Sequence, residues 1–270
     1  MSDQRLGDVG EKLMDRLLEL AEDTARQILA VYRSDYAVHE KADHTPVTEA
    51  DLLAHGALVK GLERIAPGVP VISEEAPPIA FSERRQWQEY WLVDPRDGTR
   101  EFIRGSGEFG INIALIRAGE PVAGLVHVPV SGTSFYAWRG GGAFRRPTDG
   151  PSRALHVRSH RTEVPVVAVS RSRRGLRLQR FLHNLGPHET ITLGSSLKSC
   201  LVAEGRADVY PSFGPTSEWD TAATQCILEE SGGRITDLTM RPLRYNTRET
   251  LRNPPFFAFG EPTRDWAKYI

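Results

Sequence analysis

Residues 91–100, with the sequence WLVDPRDGTR, constrain the fold of this chain more than any other stretch. Their apolar start predicts a buried strand, which we expect Pro95 to end because proline cannot donate a ladder hydrogen bond. Asp94 would then lie at the C-terminal end of a strand. Open α/β sheets bind their ligands at that edge, so the stretch predicts both a buried strand and a site.

The turn after this strand offers oxygen ligands for a metal ion. Pro95 and Gly98 let the backbone turn sharply. The turn can bring the carboxylates of Asp94 and Asp97 together with the carbonyl of Arg96. Oxygen ligands of this kind suit a hard cation such as Mg²⁺. The alternative is an Asx-rich turn that holds no ion, and the stretch by itself favours neither interpretation.

The composition is that of an ordinary globular chain, with 270 residues, 40% of them hydrophobic and 26% charged. The formal net charge of -1 argues against a nucleic acid polymer as a partner, but it leaves a small phosphorylated ligand open. The N-terminus is charged and has no long apolar run, so we expect neither a secretory signal nor a transmembrane segment. Cys200 and Cys226 fall in predicted helices, and we interpret them as reduced core residues of an intracellular protein.

The order of predicted elements changes at the Pro- and Gly-rich residues 146–151. An amphipathic helix at residues 11–32 and a second helix from residue 48 to about residue 65 precede a run of antiparallel strands on the N-terminal side. On the C-terminal side, strands alternate with helices. We therefore expect a mixed α+β and α/β fold, with an α+β half at residues 1–150 that carries most metal ligands and an α/β half at residues 151–270.

Residues 105–110 match the dinucleotide fingerprint G-x-G-x-x-G letter for letter. We reject a dinucleotide site, because the fingerprint requires a strand before it and a helix after it. Residues 111–116 are strand-like instead, and the preceding strand ends about ten residues earlier.

Three more acidic positions lie at predicted ends of elements, and each has a simple structural role. Asp51 follows Thr48 at the spacing of a helix capping box. Glu74 and Glu75 end a short strand and fit a solvated acidic loop. Asp220 lies in the first turn of a predicted helix, where the helix dipole favours an acid. In a layered α/β protein, however, such ends can meet the two aspartates of the opening stretch in one cleft.

Four short motifs, in this order, resemble those of the inositol monophosphatase superfamily. They are TEAD ending at Asp51, SEE ending at Glu75, DPRDGT at residues 94–99 and WDTAA at residues 219–223. Members are Mg²⁺-dependent, lithium-sensitive phosphomonoesterases. The resemblance therefore implies this activity, and it also implies the fold, a layered αβαβα sandwich of the sugar-phosphatase type. Further stretches are most similar to CysQ-like 3′(2′),5′-bisphosphate nucleotidases. These are residues 100–103, 107–109, 112–115, 169–172 and 194–220.

The resemblance implies two or three Mg²⁺ ions in each active site. Glu74 and Asp94 would bind one ion with the Arg96 carbonyl. Asp97 and Asp220 would join Asp94 at a second ion. Two such metals can neutralise a phosphate dianion, orient a water in line with the bond to be broken and stabilise the leaving oxygen.

Catalytic and substrate-binding roles are implied in the same way. Asp51 and Thr99 would orient and deprotonate the attacking water, near phosphate oxygens held by the backbone N–H groups of Gly98 and Thr99. The candidates for the rest of the substrate are Ser195, Ser196, Lys198, Glu218 and Asp220. A helix cap followed by a solvated lysine is an equal alternative for the first three of these. For Glu75 we favour an indirect or structural role over direct metal binding.

Two positions depart from the family pattern. Arg96 replaces the usual aliphatic residue between the two aspartates, so we expect its carbonyl to serve the metal and its side chain to point away. Ser212 stands where CysQ-like sequences carry an arginine, a natural phosphate contact. The arginines at residues 171–180 fit a solvated face, with attraction of an anionic substrate as the alternative.

Three functions are compatible with these patterns, and we favour the first. It is the hydrolysis of 3′-phosphoadenosine 5′-phosphate to AMP and phosphate by a cytoplasmic enzyme of sulfur metabolism. The second is a phosphatase for inositol-1-phosphate or a related sugar or alcohol phosphate. The third is a non-catalytic protein that binds metal and anion, but Asp51 and Thr99 argue against it because binding alone needs no base. The sequence itself does not give the oligomeric state, although homodimers are usual in the family that it resembles.

Overall fold

The computed structural model describes residues 9–34, 36–40, 46–159, 163–171, 175–261 and 263–270. The helices are α1 (Glu11–Tyr32), α2 (Glu49–Ile65), α3 (Phe81–Arg84), α4 (Thr99–Ile103), α5 (Leu176–Leu185), α6 (Leu197–Ala203) and α7 (Glu218–Glu230), with a 3₁₀ helix at Trp266–Tyr269. The strands are β1 (Val38–Glu40), β2 (Pro46–Thr48), β3 (Val71–Ser73), β4 (Glu89–Asp97), β5 (Gly110–Arg117), β6 (Glu120–Val128), β7 (Thr133–Trp138), β8 (Gly142–Arg146), β9 (Arg153–Ala154), β10 (Val166–Ser170), β11 (Glu189–Leu193), β12 (Val209–Ser212), β13 (Arg234–Asp237) and β14 (Phe256–Phe259).

Two larger sheets organise the described chain. The first has seven strands in the order β3-β4-β5-β6-β7-β8-β9, parallel between β3 and β4 and antiparallel elsewhere. The second has five strands in the order β11-β10-β12-β14-β13, with β10 parallel to β11 and to β12. Strand β9 still belongs to the first sheet, so the predicted division at residues 150 and 151 stays a prediction.

Helices cover both sheets and separate them, which gives five layers. Strand residues alternate between faces. Trp91 therefore packs with α1 and α2, whereas its neighbour Leu92 packs with α6 and α7. The second sheet contributes Ala258 to that same middle layer and Phe257 to an outer core with α5. This arrangement confirms the expected αβαβα sandwich, with α6 and α7 at its centre.

The strand that opened the sequence analysis differs from its prediction at one end. We expected Pro95 to stop it, but β4 continues to Asp97, with a shift in register against β5 between Asp94 and Asp97. An irregularity leaves a residue without a regular ladder bond, so the missing N–H of proline costs nothing there. Other predictions are confirmed: the capping box of α2 is present, and Gly110 begins a strand rather than a nucleotide-binding helix.

A buried polar network anchors the start of α7. Glu218 is fully buried, and its Oε2 accepts a hydrogen bond from the backbone N–H of Asn246 at 2.7 Å. Asn246 has a left-handed backbone, with a φ of 55°, and its side chain bonds the carbonyl of Arg84. Burial raises the pKa of Glu218 to about 7, against the opposing effects of the Asn246 N–H and of nearby arginines. The network fixes the turn of α7 that carries Asp220.

Both cysteines are buried free thiols, as the sequence analysis expected. No helix in the described part of the chain is both long enough and apolar enough to cross a membrane.

One close approach between layers lies at Gly124 of β6. A Cβ atom there would lie 2.3 Å from the carbonyl oxygen of Ala223 in α7. Because backbone cannot move aside cheaply, we expect Gly124→Ala to lower the free energy of unfolding by about 2 kcal/mol or more. Gly56→Ala is the control: it meets no atom within 4 Å in the middle of α2, and it should stabilise by about 0.5–1 kcal/mol. Urea unfolding followed by circular dichroism tests both, and a Gly124→Ala protein as stable as wild type contradicts this packing.

Glu218 makes a prediction about pH. The folded protein keeps the Glu218 proton up to about pH 7, whereas an ordinary glutamate has a pKa of 4.5. Between these values the folded state holds more protons than the unfolded chain, so stability falls as the pH rises. Glutamine still accepts from Asn246 but cannot ionise. We expect Glu218→Gln to gain stability relative to wild type across that window, by up to roughly 3 kcal/mol. Urea unfolding in chelator at several pH values measures this, and a difference that does not change with pH contradicts it.

Candidate active site

Three carboxylates from three elements meet at one end of the middle layer. Because β3 and β4 are parallel and pair Ser73 with Val93, the residues that follow, Glu74 and Asp94, lie side by side. Asp220 arrives from the first turn of α7. One oxygen from each of Glu74, Asp94 and Asp220 can be chosen so that all three lie within 4.8 Å of one another.

The electrostatics of this cluster fit a cation. Asp94 is 2% exposed, and burial raises its pKa, followed by the charges of Glu74, Asp97 and Asp220. The backbone N–H of Arg96, which donates to Asp94 Oδ1 at 3.0 Å, acts in the opposite direction. Buried like charges destabilise one another unless an ion compensates them. The all-oxygen donor set suits a hard divalent cation, so these residues fit the predicted metal.

Asp97 lies beside the cluster but faces α6. Its Oδ2 accepts a hydrogen bond from the backbone N–H of Ser196. Burial raises the pKa of Asp97, and the positive charge of Lys198 and the Ser196 hydrogen bond oppose that rise. Asp97 is close enough to Asp94 to raise the pKa of that group, yet it is not one of the three clustered carboxylates. Its role as a ligand stays a prediction.

Asp51 is held by its predicted capping partner Thr48 and by Arg96, a partner that was not predicted. Its Oδ2 accepts from the Thr48 backbone at 2.6 Å, from the Thr48 hydroxyl at 3.0 Å and from Arg96 Nη2 at 2.5 Å. The Arg96 guanidinium also lies 4.1 Å from the ring centre of Phe102. The Arg96 side chain thus points at Asp51 and Phe102. In the described chain no hydrogen bond joins Asp51 directly to Thr99, so their joint catalytic role stays a prediction.

Gly98 and Thr99 form the sharp turn that leads from β4 into α4. Gly98 has a φ of 97°, a conformation that favours glycine, and a Cβ there would lie 3.1 Å from the carbonyl oxygen of Glu108. Both residues line a cleft of about 730 Å³ that also holds the three clustered carboxylates. The position is suitable for backbone N–H contacts to a bound phosphate.

The α6 candidates line the same cleft. Ser195 has a left-handed backbone, with a φ of 51°, and the Ser196 hydroxyl donates to Asn112 Oδ1 at 2.9 Å. Lys198 donates to the Ser195 carbonyl, and its ammonium lies 4.9 Å from the ring centre of Tyr210. Lys198 is therefore buried against the cleft wall, so the solvated-lysine alternative does not hold.

Glu218 does not support its predicted role. It was expected to contact substrate, but it is fully buried, its carboxylate accepts a hydrogen bond from the Asn246 N–H, and it is not among the residues that line the cleft. In the first turn of a helix, neighbouring residues point in different directions, and here Asp220 rather than Glu218 reaches the cleft. Burial lowers the pKa of His55, and the nearby charge of Glu75 opposes part of that effect.

The cleft also contains residues that the sequence analysis missed. Arg252 reaches it because Arg252 bridges to Ser217, next to the start of α7. Phe213 and Trp219 give it flat apolar walls. No local pattern could have found Arg252, because its place depends on a pairing with a distant residue. Of the predicted arginine cluster, Arg177 lines the cleft and Arg171 pairs with Glu108, whereas residues 173 and 174 lie outside the described residues.

Comparison with known proteins gives one consistent result. The model of a family described as the inositol monophosphatase family matches residues 11–258. The 3′(2′),5′-bisphosphate nucleotidase CysQ of Escherichia coli strain K12 is 44% identical over 246 residues, which cover 90% of this chain and 98% of that protein. The protein of the same name from Haemophilus influenzae is 38% identical over 259 residues, or 96% of each chain.

A solved structure agrees over a similar length. The crystal structure of CysQ from Bacteroides thetaiotaomicron, described as a bacterial member of the inositol monophosphatase family, has a TM-score of 0.80 and 36% identity and covers 92% of this chain and 98% of that one. The family match, the similar sequences and the similar structure agree. This chain therefore belongs to the inositol monophosphatase family.

Proposed function

We propose that this protein is a metal-dependent phosphomonoesterase, a 3′(2′),5′-bisphosphate nucleotidase that hydrolyses 3′-phosphoadenosine 5′-phosphate to AMP and phosphate. The observation that carries the proposal is the convergence of Glu74, Asp94 and Asp220 in one cleft. Relatives that match 90% of the chain and bear the name of this nucleotidase support the choice of substrate.

The proposed metal is Mg²⁺, with two or three ions in each site. Glu74, Asp94 and Asp220 would hold it, together with Asp97 and the carbonyl of Arg96. A bound divalent cation supplies Lewis acidity at the phosphate oxygens and makes water a stronger nucleophile at neutral pH.

The residues of the chain itself have separate roles in this proposal. The Gly98 and Thr99 backbone N–H groups would bind the phosphoryl group that is transferred to water, since both residues line the cleft. Thr99 orients the attacking water and Asp51 accepts its proton. Asp51 must be held in place for this role, and three hydrogen bonds from Thr48 and Arg96 converge on its Oδ2.

The rest of the cleft suits a nucleotide that carries a second phosphate. Lys198, Arg177 and Arg252 place positive charge on its wall, and the aromatic faces of Trp219 and Phe213 suit a flat base. Ser212, at the position where the family resemblance implies an arginine, also lines the cleft. In our proposal the other cations take over the attraction of the second phosphate.

A second candidate follows from the same residue. Without an arginine at position 212, the cleft has less positive charge for a second phosphate. An inositol-1-phosphate or another sugar or alcohol phosphate would then be the preferred substrate. Fold alone does not decide between these substrates, since the same metal site serves both.

We also propose a cytoplasmic homodimer. The buried free thiols of Cys200 and Cys226 suit a reducing compartment, which supports the location. Size-exclusion chromatography with light scattering tests the assembly.

Substrate preference is tested by phosphate release from a panel of esters. We expect 3′-phosphoadenosine 5′-phosphate to have the highest kcat/KM with Mg²⁺, ahead of inositol-1-phosphate and fructose-1,6-bisphosphate, and Li⁺ to inhibit. A preference for inositol-1-phosphate establishes the second candidate instead. Purified protein that releases phosphate from none of them contradicts catalysis and favours a binding protein.

Asp94→Asn tests the metal site. We expect Mg²⁺-dependent turnover to fall by at least about 100-fold, because one charged ligand of the ion is lost. Without metal, the Asp94→Asn variant should remain folded, because the substitution removes the repulsion between Asp94 and the neighbouring carboxylates. Mg²⁺ should raise the Tm of the wild-type protein, which binds the ion in its folded state. It should not raise the Tm of the variant, which has lost a ligand of the ion. The exposed Asp149→Asn change is the matched control, and Asp94→Asn turnover close to that control would sink the assignment.

A further inference from the structure

Within residues 94–99, Arg96 is the one charged residue whose side chain the proposed reaction does not use. Its side chain is fully buried, and the Asp51 side chain beside it is 3% exposed. Arginine is almost never buried unless a charged partner accompanies it, and Asp51 is that partner. The contact of its guanidinium with the Phe102 ring adds a cation–π interaction.

The buried Arg96 guanidinium does not satisfy all of its hydrogen-bond donors. Nη2 donates to Asp51, whereas Nε and Nη1 are buried without a hydrogen-bond partner in the described chain. Buried unsatisfied donors cost stability. An aliphatic residue at this position would avoid that cost. Fold stability therefore does not explain this arginine.

What Arg96 adds is a link between two elements of the site. The capping box with Thr48 fixes Asp51 only relative to its own helix, α2. Arg96 lies on β4, between Asp94 and Asp97, and its guanidinium reaches Asp51 across 45 residues of sequence. The pair thus joins the carboxylate on α2 directly to the strand that carries two predicted metal ligands.

We propose that Arg96 is a positioning residue that holds Asp51 at a fixed place relative to the β4 carboxylates. The inference rests on the proposed function, in which Asp51 accepts a proton. Arg96 acts through Asp51, so its loss should slow turnover and leave substrate binding intact. A displacement of about 1 Å in a reacting group is enough to cost two orders of magnitude in rate.

The test is a mutant cycle of Arg96 and Asp51, measured on whichever ester the wild-type protein hydrolyses at saturating Mg²⁺. We expect Arg96→Leu to lower kcat by about 10- to 100-fold, while KM changes by less than about threefold. Arg96→Lys should recover part of the loss, because an ammonium still pairs with Asp51 but lacks the planar fork.

The double variant decides whether Arg96 works through Asp51. Asp51→Asn alone should lower kcat, and Asp51→Asn with Arg96→Leu should match it within about twofold, because residues that act as a unit are not additive. The double variant also removes both buried charges, so a failure of Arg96→Leu to fold does not stop the test. Thermal melting should place the double variant above Arg96→Leu, which leaves Asp51 unpaired.

Arg117→Leu is the matched control. Arg117 pairs with Glu89, which begins β4 at the end opposite Asp94. The change removes an arginine–carboxylate pair from the same sheet and should leave kcat within about twofold of wild type. Wild-type kcat in Arg96→Leu overturns the proposal. A loss that appears in KM alone, or that repeats in full in the Asp51→Asn background, overturns it as well.

A readout without turnover separates this inference from the proposed function. In metal-free protein, hydrogen exchange of the segment 46–52 should be faster in Arg96→Leu than in wild type or Arg117→Leu, because one of two links to Asp51 is lost. Unchanged exchange contradicts the positioning role. Absence of activity on every ester in wild type contradicts the proposed function, and the exchange result still decides the role of Arg96.

Discussion

Repulsion between the buried carboxylate of Asp94 and its half-buried acidic neighbours is the constraint on which the rest of this structure depends. Asp94 is buried beside Glu74 and Asp220, and their charges, with that of Asp97, raise its pKa. Such a cluster weakens the fold unless an ion offsets it. The surrounding structure therefore has to supply stability elsewhere, and the five packed layers do so. A divalent cation bound between these carboxylates would neutralise their charges and remove the repulsion.

The layers also set the geometry of the site. Parallel pairing of β3 and β4 puts Glu74 next to Asp94, and the close approach of α7 to Gly124 brings Asp220 to the same point. The hydrogen-bond network of the buried Glu218 also holds the start of α7 in place. Core packing therefore determines the geometry of the site, because α7 packs in the middle layer and also carries a predicted metal ligand.

Local patterns predicted much of this arrangement. The buried strand before Asp94, the capping box at Asp51 and the alternation of strands and helices all depend on neighbouring residues, and each is present. Pro95 misled the prediction, because a register shift allows a proline to remain within a strand. The Arg96–Asp51 pair, the inward turn of Glu218 and the place of Arg252 in the cleft depend on tertiary contacts. Sequence periodicity carries no information about those contacts.

The most direct test of the central claim is anomalous diffraction from crystals soaked in Mn²⁺, a hard cation that takes the same oxygen ligands as Mg²⁺. We predict a Mn²⁺ peak about 2 Å from a carboxylate oxygen of each of Glu74, Asp94 and Asp220. A fully soaked crystal with no peak among these three side chains, or with its peak elsewhere, would contradict the account.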